Sequence, residues 1–240
     1  MRPFFPGREP GRPVFAAHRG ASDRALENSP AAFALAVSDV ADLIEFDVRL
    51  SSDGIPVVFH DDRTGRTAKE NLAVARTPAA RLQAVRLKNG EAIPFLADVL
   101  EIVRGSVPIN IESKALGGIA AAAKALSKAG YGGELLLSSG LREECLAARD
   151  LLPGIPCGLV TRRPSASDLA FCLRHGLSSI HPDRRLLTVL RLRNVAASDI
   201  PFFPYTVDDP AEALALIAAG AVGVFSNCAQ TLREAWRISP

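Results

Sequence analysis

Cysteine is scarce in this 240-residue chain, and its distribution excludes two common uses of the residue. The four cysteines are Cys145, Cys157, Cys172 and Cys228. None has the Cys-x-x-Cys spacing or the clustering with histidine that a zinc site would require, and nothing in their pattern indicates a disulfide framework. We therefore expect reduced core thiols and a cytoplasmic location.

Long apolar runs and a strong charge of one sign are also missing. No segment reaches membrane-spanning length without charged residues, and the Pro/Gly-rich stretch 1–10 lacks the apolar run of a signal peptide. The formal net charge of +2 gives no basis for nucleic-acid binding or stable membrane association. We expect a small-molecule substrate as the partner, a monomer or homodimer, and a flexible N-terminal extension over residues 1–12.

The sequence does contain a regular alternation of short apolar runs and alanine-rich helical stretches. The strand-like runs are Val14–Ala17, Leu43–Val48, Pro56–His60, Val107–Glu112, Glu134–Ser138, Pro156–Val160, Ser178–His181, Phe202–Val207 and Val222–Ser226. The helical stretches fall near residues 28–39, 95–104, 117–129, 141–151, 167–175, 185–196 and 210–219. This alternation, without a linker or repeat, predicts a single α/β domain over residues 1–240.

The length favours a TIM-type (β/α)8 barrel, which takes about 250 residues. A doubly wound open sheet is the alternative, but no GxGxxG motif follows the first strand. Nine strands are one too many for a barrel, and the connection from Arg49 to Ile55 is too short for a parallel crossover. Asp53-Gly54 is a hairpin-turn signal. We predict a local antiparallel hairpin around residues 45–60 that sets Asp47 roughly opposite His60.

Two carboxylates lie on one face of the second strand. Glu45 and Asp47 are two residues apart, so their side chains point to the same side while Phe46 points to the other. Like charges held this close repel each other unless a positive group lies between them. Divalent cations take carboxylate oxygens as ligands, and the pair therefore indicates a metal site.

A third strand adds to this set of polar groups. In the run 108–114, Ile109 and Ile111 share one face, and Asn110, Glu112 and Lys114 share the other. Both faces of a parallel sheet are normally covered, so a polar face predicts a site. Glu112 would supply a third carboxylate, and Lys114 a nearby positive charge.

Two histidines occur at ends of strand-like runs. His18 ends the first run, and His60 ends the third and reaches the same region through the hairpin. Catalytic groups of a barrel gather where its strands end, and a histidine near neutral pKa can act as a general acid or base. His175 and His181 match no motif, and we interpret them as structural.

Taken together, these residues resemble the glycerophosphodiester phosphodiesterase family, whose motifs read roughly HRG, PENT, IExDV, DG, VVxHD, RTT and NIExK in this order. The matching segments are His18-Arg19-Gly20, Glu27-Asn28-Ser29, Ile44 to Val48, Asp53-Gly54, Val57 to Asp61, Arg66-Thr67 and Asn110 to Lys114. A thinner likeness continues through Ile93-Pro94, Tyr205 to Asp208 and Gly223 to Asn227. The resemblance is dense over residues 14–114.

The resemblance implies a metal-dependent TIM barrel that cleaves glycerophosphodiesters to glycerol 3-phosphate and an alcohol. Glu45, Asp47 and Glu112 would bind a divalent metal, Mg²⁺ or Ca²⁺. His18 and His60 would form the general acid/base pair. The nucleophile would be either a glycerol hydroxyl of the substrate, through a cyclic phosphate, or water.

Further roles follow from the same resemblance. Arg19 and Lys114 would contact the phosphate, and Glu27 and Asn28 would support the site. Three carboxylates, a divalent ion and these two cations leave a charge of +1, which matches a monoanionic diester; without the metal the charge is −1. Tyr205 stands where the family has a tryptophan of the substrate wall.

Two other segments depart from the family pattern. Leu26 stands where the family has a proline, and Asn227 and Cys228 depart from the usual T-D-x-P ending, where loss of the acid would weaken support at the last strand. None of the five central residues is missing, so we expect an active enzyme. Two alternatives stay open: the same barrel acting on lysophospholipids or another phosphodiester, and a non-catalytic barrel that binds a phosphorylated ligand.

Overall fold

A computed structural model describes residues 11–238 of the chain. Most of the N-terminal extension expected over residues 1–12 therefore lies outside the described residues. Arg12 is described, and its Nη2 lies 3.1 Å from Oδ1 of Asp42. Among residues 11–238, no helix is both long and apolar enough to span a bilayer.

The described chain alternates strands and helices along most of its length. The strands are β1 Val14–His18, β2 Leu43–Leu50, β3 Pro56–Val58, β4 Ile109–Ser113, β5 Leu135–Ser139, β6 Cys157–Thr161, β7 Ser179–Pro182 and β8 Gly223–Ser226. The α-helices are α1 Pro30–Ser38, α2 Ala79–Ala84, α3 Leu96–Val103, α4 Gly118–Ala129, α5 Arg142–Leu151, α6 Ala166–His175, α7 Val189–Ala196, α8 Pro210–Ala218 and α9 Ala229–Arg237.

The sheet is parallel apart from one strand. Its order is β7-β6-β5-β4-β2-β1-β8, and β3 pairs antiparallel with β2. A parallel pair needs a crossover connection, and helices supply it around the sheet. The prediction of an α/β barrel with a local antiparallel hairpin is thus confirmed.

The predicted strand Phe202–Val207 is not a continuous strand, which corrects the sequence expectation. Pro201 and Pro204 lack the N–H that a regular ladder requires. The segment is held instead by isolated parallel bridges from Phe202 to Ile180 and from Tyr205 to Asp183. On its other side, the carbonyls of Phe202 and Pro204 accept hydrogen bonds from the β8 side, at 3.1 and 3.0 Å. Residues 202–205 therefore close the barrel between β7 and β8.

The hairpin register differs by one residue from the prediction. Val48 faces Val58, and the amide of Phe59 donates to the carbonyl of Asp47 at 3.0 Å. Asp47 is therefore opposite Phe59, and His60 lies one residue beyond. The turn signal at 53–54 locates the hairpin, but it does not fix which residues pair across it.

Alternation along the strands separates two cores. One fills the barrel interior with Val14, Ala16, Leu43, Leu136, Phe203 and Phe225. The other packs the outward strand residues, such as Phe46 and Ile111, against the helices. Toward the carboxyl ends of the strands, beyond this apolar layer, the inward-facing residues are polar. The candidate site therefore lies directly on the interior core.

The segment between β3 and α3 has a small core of its own, which the sequence patterns did not indicate. Its buried members are Val57, Phe59, Ala68, Val74, Leu82, Val85, Leu87 and Ile93. The short helix α2 and two 3-10 turns, Thr64–Arg66 and Val74–Arg76, lie here. His60 is attached to this unit, so its position depends on packing outside the barrel. The terminal helix α9 is a second element missing from the sequence prediction.

Candidate active site

A cavity of about 290 Å³ opens at the carboxyl ends of the strands. Its lining from β1, β2, β4 and the hairpin consists of His18, Arg19, Glu45, His60, Asn110, Glu112 and Lys114. Its lining from β6, β7, segment 202–205 and β8 consists of Val160, Arg162, His181, Asp183, Arg185, Tyr205 and Phe225. The active sites of barrel enzymes lie at this end of the fold.

Three carboxylates converge at one side of this cavity. Glu45, Asp47 and Glu112 each offer an oxygen within 4.8 Å of the others. Glu45 and Asp47 are 2% and 1% exposed, and Oε1 of Glu45 is buried without a hydrogen-bond partner. Buried acceptors left in this way are costly. A divalent cation that takes oxygen ligands would satisfy them, and the donor set therefore fits Mg²⁺ or Ca²⁺.

Burial and two neighbouring acids act against the ionisation of Glu45. Burial, and then the neighbouring carboxylates of Asp47 and Glu112, raise the pKa of Glu45 well above its ordinary value. For Asp47, burial also opposes the charged form, but the cations of Lys114 and Arg19 hold its pKa well below the usual range. The two acids of one strand face therefore differ in proton affinity.

Lys114 bridges two of the three acids. Its Nζ lies 2.5 Å from Oε1 of Glu112 and 3.2 Å from Oδ1 of Asp47. Burial works against the ammonium charge, but Glu112 and Asp47 more than offset it and raise the pKa of Lys114. Lys114 is therefore a fixed positive charge at the edge of the carboxylate cluster.

The turn after β1 positions Arg19 over the same cluster. Arg19 adopts a left-handed conformation, φ 60°, and its amide donates to Oε2 of Glu45 at 2.9 Å. Gly20 follows with φ 83°, and a Cβ there would come within 2.7 Å of the backbone of Ala32. Only glycine fits this close approach. The Arg19 side chain is held by Glu27, 2.7 Å from Nη1, and its Nε lies 3.2 Å from Oδ2 of Asp47.

Asn28 orients the carboxylate of Asp47 through a hydrogen bond. It is 3% exposed and left-handed, φ 53°, a conformation that asparagine tolerates better than most residues. Its Nδ2 donates to Oδ2 of Asp47 at 2.9 Å. The contact fixes the rotamer of the carboxylate and leaves Oδ1 turned toward Lys114.

His18 is held from the last strand. Its Nδ1 donates to Oδ1 of Asn227 at 2.9 Å, and Nδ2 of Asn227 donates to Oδ2 of Asp208 at 2.7 Å. Asp208 thereby fixes which way the amide faces. Asn227 supports His18 at the position where the sequence indicated a loss of support. Burial, and then the charge of Arg19, lower the pKa of His18 to about 4.

His60 belongs to a separate chain of charges. Its Nδ1 lies 2.6 Å from Oδ1 of Asp61, and Nε of Arg66 donates to the other oxygen of Asp61 at 2.6 Å. Arg66 also contacts both oxygens of Glu27, at 2.6 and 2.7 Å. Glu27 therefore joins Arg66 to Arg19. This series of ion pairs extends from His60 to the carboxylate cluster.

Tyr205 and His181 form part of the opposite wall. Burial raises the pKa of Tyr205 to about 12, followed by the charges of Glu112 and Asp183. His181 is 1% exposed, and its Nε2 lies 2.9 Å from Oγ of Ser179. Burial lowers the pKa of His181 to about 3, so it is a neutral residue of the cavity floor.

Several of these residues were not proposed from the sequence. Asp61, Arg66 and Asp208 lie within segments that match the family motifs. That motif position was the only sequence signal for a role at the site. His181 had no motif, and it reaches the cavity because β7 presents it inward. His175 lies away from the cavity, where its Nδ1 is 3.4 Å from Nη1 of Arg149.

Comparisons with known proteins agree with this geometry. The chain matches the model of the "Glycerophosphoryl diester phosphodiesterase family" over residues 18–231. It is 28% identical over 231 residues to a glycerophosphodiester phosphodiesterase of Caldanaerobacter subterraneus subsp. tengcongensis, covering 90% of this chain and 94% of that protein. It is 30% identical over 226 residues to Bacillus subtilis YhdW, covering 88% and 93%.

A solved structure is similar over almost the whole described chain. It is an Oleispira antarctica phosphodiesterase in complex with the product sn-glycerol-3-phosphate, with a TM-score of 0.86 and 28% identity. The match covers 94% of this chain and 97% of the other.

Proposed function

This chain belongs to the glycerophosphoryl diester phosphodiesterase family, and from that premise we propose that it hydrolyses glycerophosphodiesters to sn-glycerol 3-phosphate and an alcohol. The observation that carries the proposal is the cluster of Glu45, Asp47 and Glu112 at a cavity that His18 and His60 also line. The product complex of the Oleispira relative supports the same substrate class. The buried thiols Cys145, Cys157 and Cys172 are compatible with a reducing, cytoplasmic setting.

The proposal includes a divalent cation, Mg²⁺ or Ca²⁺, held by the three carboxylates. Bound there, the ion would polarise a phosphoryl oxygen and neutralise charge that develops in the transition state. The unpartnered Oε1 of Glu45, beside the two other carboxylates, supports this assignment. Asn28 keeps Asp47 in the required rotamer.

Arg19 and Lys114 would bind the phosphodiester beside the carboxylates. Both are ion-paired already, so their charges are fixed in place before the substrate arrives. Cations that are pre-positioned in this way stabilise a developing anion without reorganising.

His18 is the group that we assign as general base. Its Nδ1–H donates to Asn227, so the lone pair is on Nε2. Its lowered pKa keeps the ring neutral at pH 7 and able to accept a proton. The same nitrogen serves whether the attacking group is water or a glycerol hydroxyl of the substrate.

His60 is the group that we assign as general acid. Asp61 accepts a hydrogen bond from its Nδ1, which fixes the orientation of the ring and leaves Nε2 as its second nitrogen. The second ring nitrogen can then deliver a proton to the leaving alcohol oxygen. General acid/base groups contribute about 10²- to 10⁴-fold each, so removing either histidine is severe.

The experiment measures release of sn-glycerol 3-phosphate from glycerophosphocholine, glycerophosphoethanolamine and glycerophosphoglycerol, with Mg²⁺, with Ca²⁺ and with EDTA. We expect metal-dependent release that is abolished in Glu45→Gln and His18→Ala. Glu101→Gln, at an exposed carboxylate of α3, is the matched control and should retain full activity. No release from any diester with either metal would refute the proposal. Full activity in EDTA would refute the metal assignment.

A further inference from the structure

Two arginines line the cavity on the wall opposite the carboxylate cluster. Arg162 follows β6 on the same inward register as Gly158 and Val160. Arg185 lies beyond β7, two residues after the inward Asp183. We name Arg162 and Arg185 the arginine wall. Neither residue has a role in the reaction as proposed above.

Asp183 holds one of the two arginines in a defined orientation. Nε and Nη2 of Arg185 donate to the two oxygens of Asp183 at 3.0 and 2.8 Å, and Asp183 is 1% exposed. The Arg185 side chain is 71% exposed, so the rest of its guanidinium faces the cavity mouth. Such a bidentate pair fixes the plane of the guanidinium and leaves its other N–H groups free to donate.

Arg162 has no ion-pair partner within the described part of the chain. It is exposed, and it lies close enough to the carboxylate of Asp183 that, after Arg185, it helps to lower the pKa of that group. The arginine wall thus has two positive charges and one neighbouring carboxylate, Asp183, which is already paired with Arg185. A positive charge remains at the cavity mouth.

The phosphodiester itself does not require this charge. Arg19 and Lys114 supply cations beside the carboxylate cluster, on the other side of the cavity. Val160 and Tyr205 line the cavity on the same side as the arginine wall. A substrate whose phosphodiester occupies the cluster side and whose leaving group extends past Tyr205 would bring that leaving group to the two arginines.

We infer that the enzyme prefers glycerophosphodiesters whose leaving alcohol carries a second anionic group, a phosphate monoester or a carboxylate, bound by Arg162 and Arg185. The inference rests on the proposed function and specifies its substrate class. Guanidinium groups suit both anions, because their paired N–H donors match two oxygens at once. A cationic head group such as choline is disfavoured at the same wall.

The test uses four substrates that differ chiefly in the charge of the alcohol. They are glycerophosphocholine, glycerophosphoglycerol, glycerophosphoglycerate and glycerophosphoglycerol with a terminal phosphate. We expect kcat/KM for one or both anionic substrates to exceed that for glycerophosphoglycerol by about tenfold, as a charged hydrogen bond permits. Comparison of the phosphate-bearing substrate with the carboxylate-bearing substrate identifies which anion the arginine wall binds.

Variants assign the preference to the wall. Arg162→Gln should reduce the ratio of anionic to neutral kcat/KM to about two or less, and Arg162→Glu should shift preference toward glycerophosphocholine. Arg163→Gln is the matched control, because Arg163 is the exposed neighbour and does not line the cavity; it should leave the ratio unchanged.

Three results would overturn the inference. The first is equal kcat/KM for all four substrates in the wild-type protein. The second is an equal loss of preference in the Arg162 and Arg163 variants. That result would mean that the preference comes from the net positive charge of the protein and not from a contact between Arg162 and the anion. The third, no hydrolysis of any of the four, would overturn the proposed function together with the inference, whereas the first two leave that function standing.

Discussion

Glu45→Gln should stabilise the metal-free protein and abolish its response to metal. In the metal-free chain, Oε1 of Glu45 is buried without a hydrogen-bond partner beside two other carboxylates. A glutamine keeps the shape and can still accept the hydrogen bond from the amide of Arg19 through its oxygen. Its NH₂ then replaces the unpartnered oxygen and can donate to the neighbouring acids.

The size and the pH dependence of this effect follow from the site. The folded chain holds the Glu45 proton more tightly than the unfolded chain, because burial and the two carboxylates raise its pKa above 4.5. The stability from this group is therefore complete below pH 4.5 and is lost as the pH rises through the folded value. A buried unsatisfied acceptor costs about 1–3 kcal/mol. For a chain of this size, that corresponds to a Tm increase of about 2–12 °C for the variant at pH 8.

Thermal unfolding in EDTA and in excess Mg²⁺ or Ca²⁺ measures both parts. The wild-type protein should gain about 2.7 kcal/mol at a metal concentration 100 times Kd, and the variant should gain almost none. Glu101→Gln, remote from the cluster, should follow the wild type in both conditions. A variant that melts below the wild type in EDTA, or that keeps the metal-induced shift, would refute the reasoning.

Two further substitutions test the histidines. Asn227→Ala removes the acceptor for Nδ1 of His18, so kcat should fall by about 10²-fold with KM and Tm nearly unchanged; a change confined to KM would contradict this. His181→Gln removes a neutral buried imidazole whose pKa is about 3 when folded and 6.5 when unfolded. Because the unfolded chain binds that proton first, wild-type stability falls as the pH falls below 6.5, by about 2 kcal/mol between pH 7 and 5. Denaturant unfolding at both pH values should show a smaller loss in the variant, and equal losses would contradict the assignment.

Much of the barrel follows from local pattern in the sequence. Period-two alternation located β2 and β4, and a turn signal located the hairpin, because both features depend on a few consecutive residues. The pattern also grouped Glu45, Asp47 and Glu112 correctly in space. Their assignment as ligands stays a prediction, since only the proximity is observed.

The errors arose where pairing depends on distant residues. The prolines at 201 and 204 were visible, but only the neighbours β7 and β8 determine that the segment pairs at isolated positions. The amide of Asn227 reaches His18 across 209 positions of the chain, and no local signal announces such a contact. The small core that carries His60 was missed because its members are spread between residues 57 and 93 without a regular period.

The closure at residues 202–205 has a consequence for motion. The junctions between neighbouring strands from β8 through β1 to β7 are ladders of consecutive paired residues, whereas segment 202–205 meets β7 through two isolated bridges and β8 through single backbone hydrogen bonds. Because Pro204 has no N–H, the hydrogen bonds that join residues 202–204 to the β8 side are donated by Val222 and Phe225 alone, and amide hydrogen exchange among the barrel junctions should be fastest at those two residues. The wall around Tyr205 can therefore yield to leaving groups of different size while the opposite half, which holds the three carboxylates, keeps its shape.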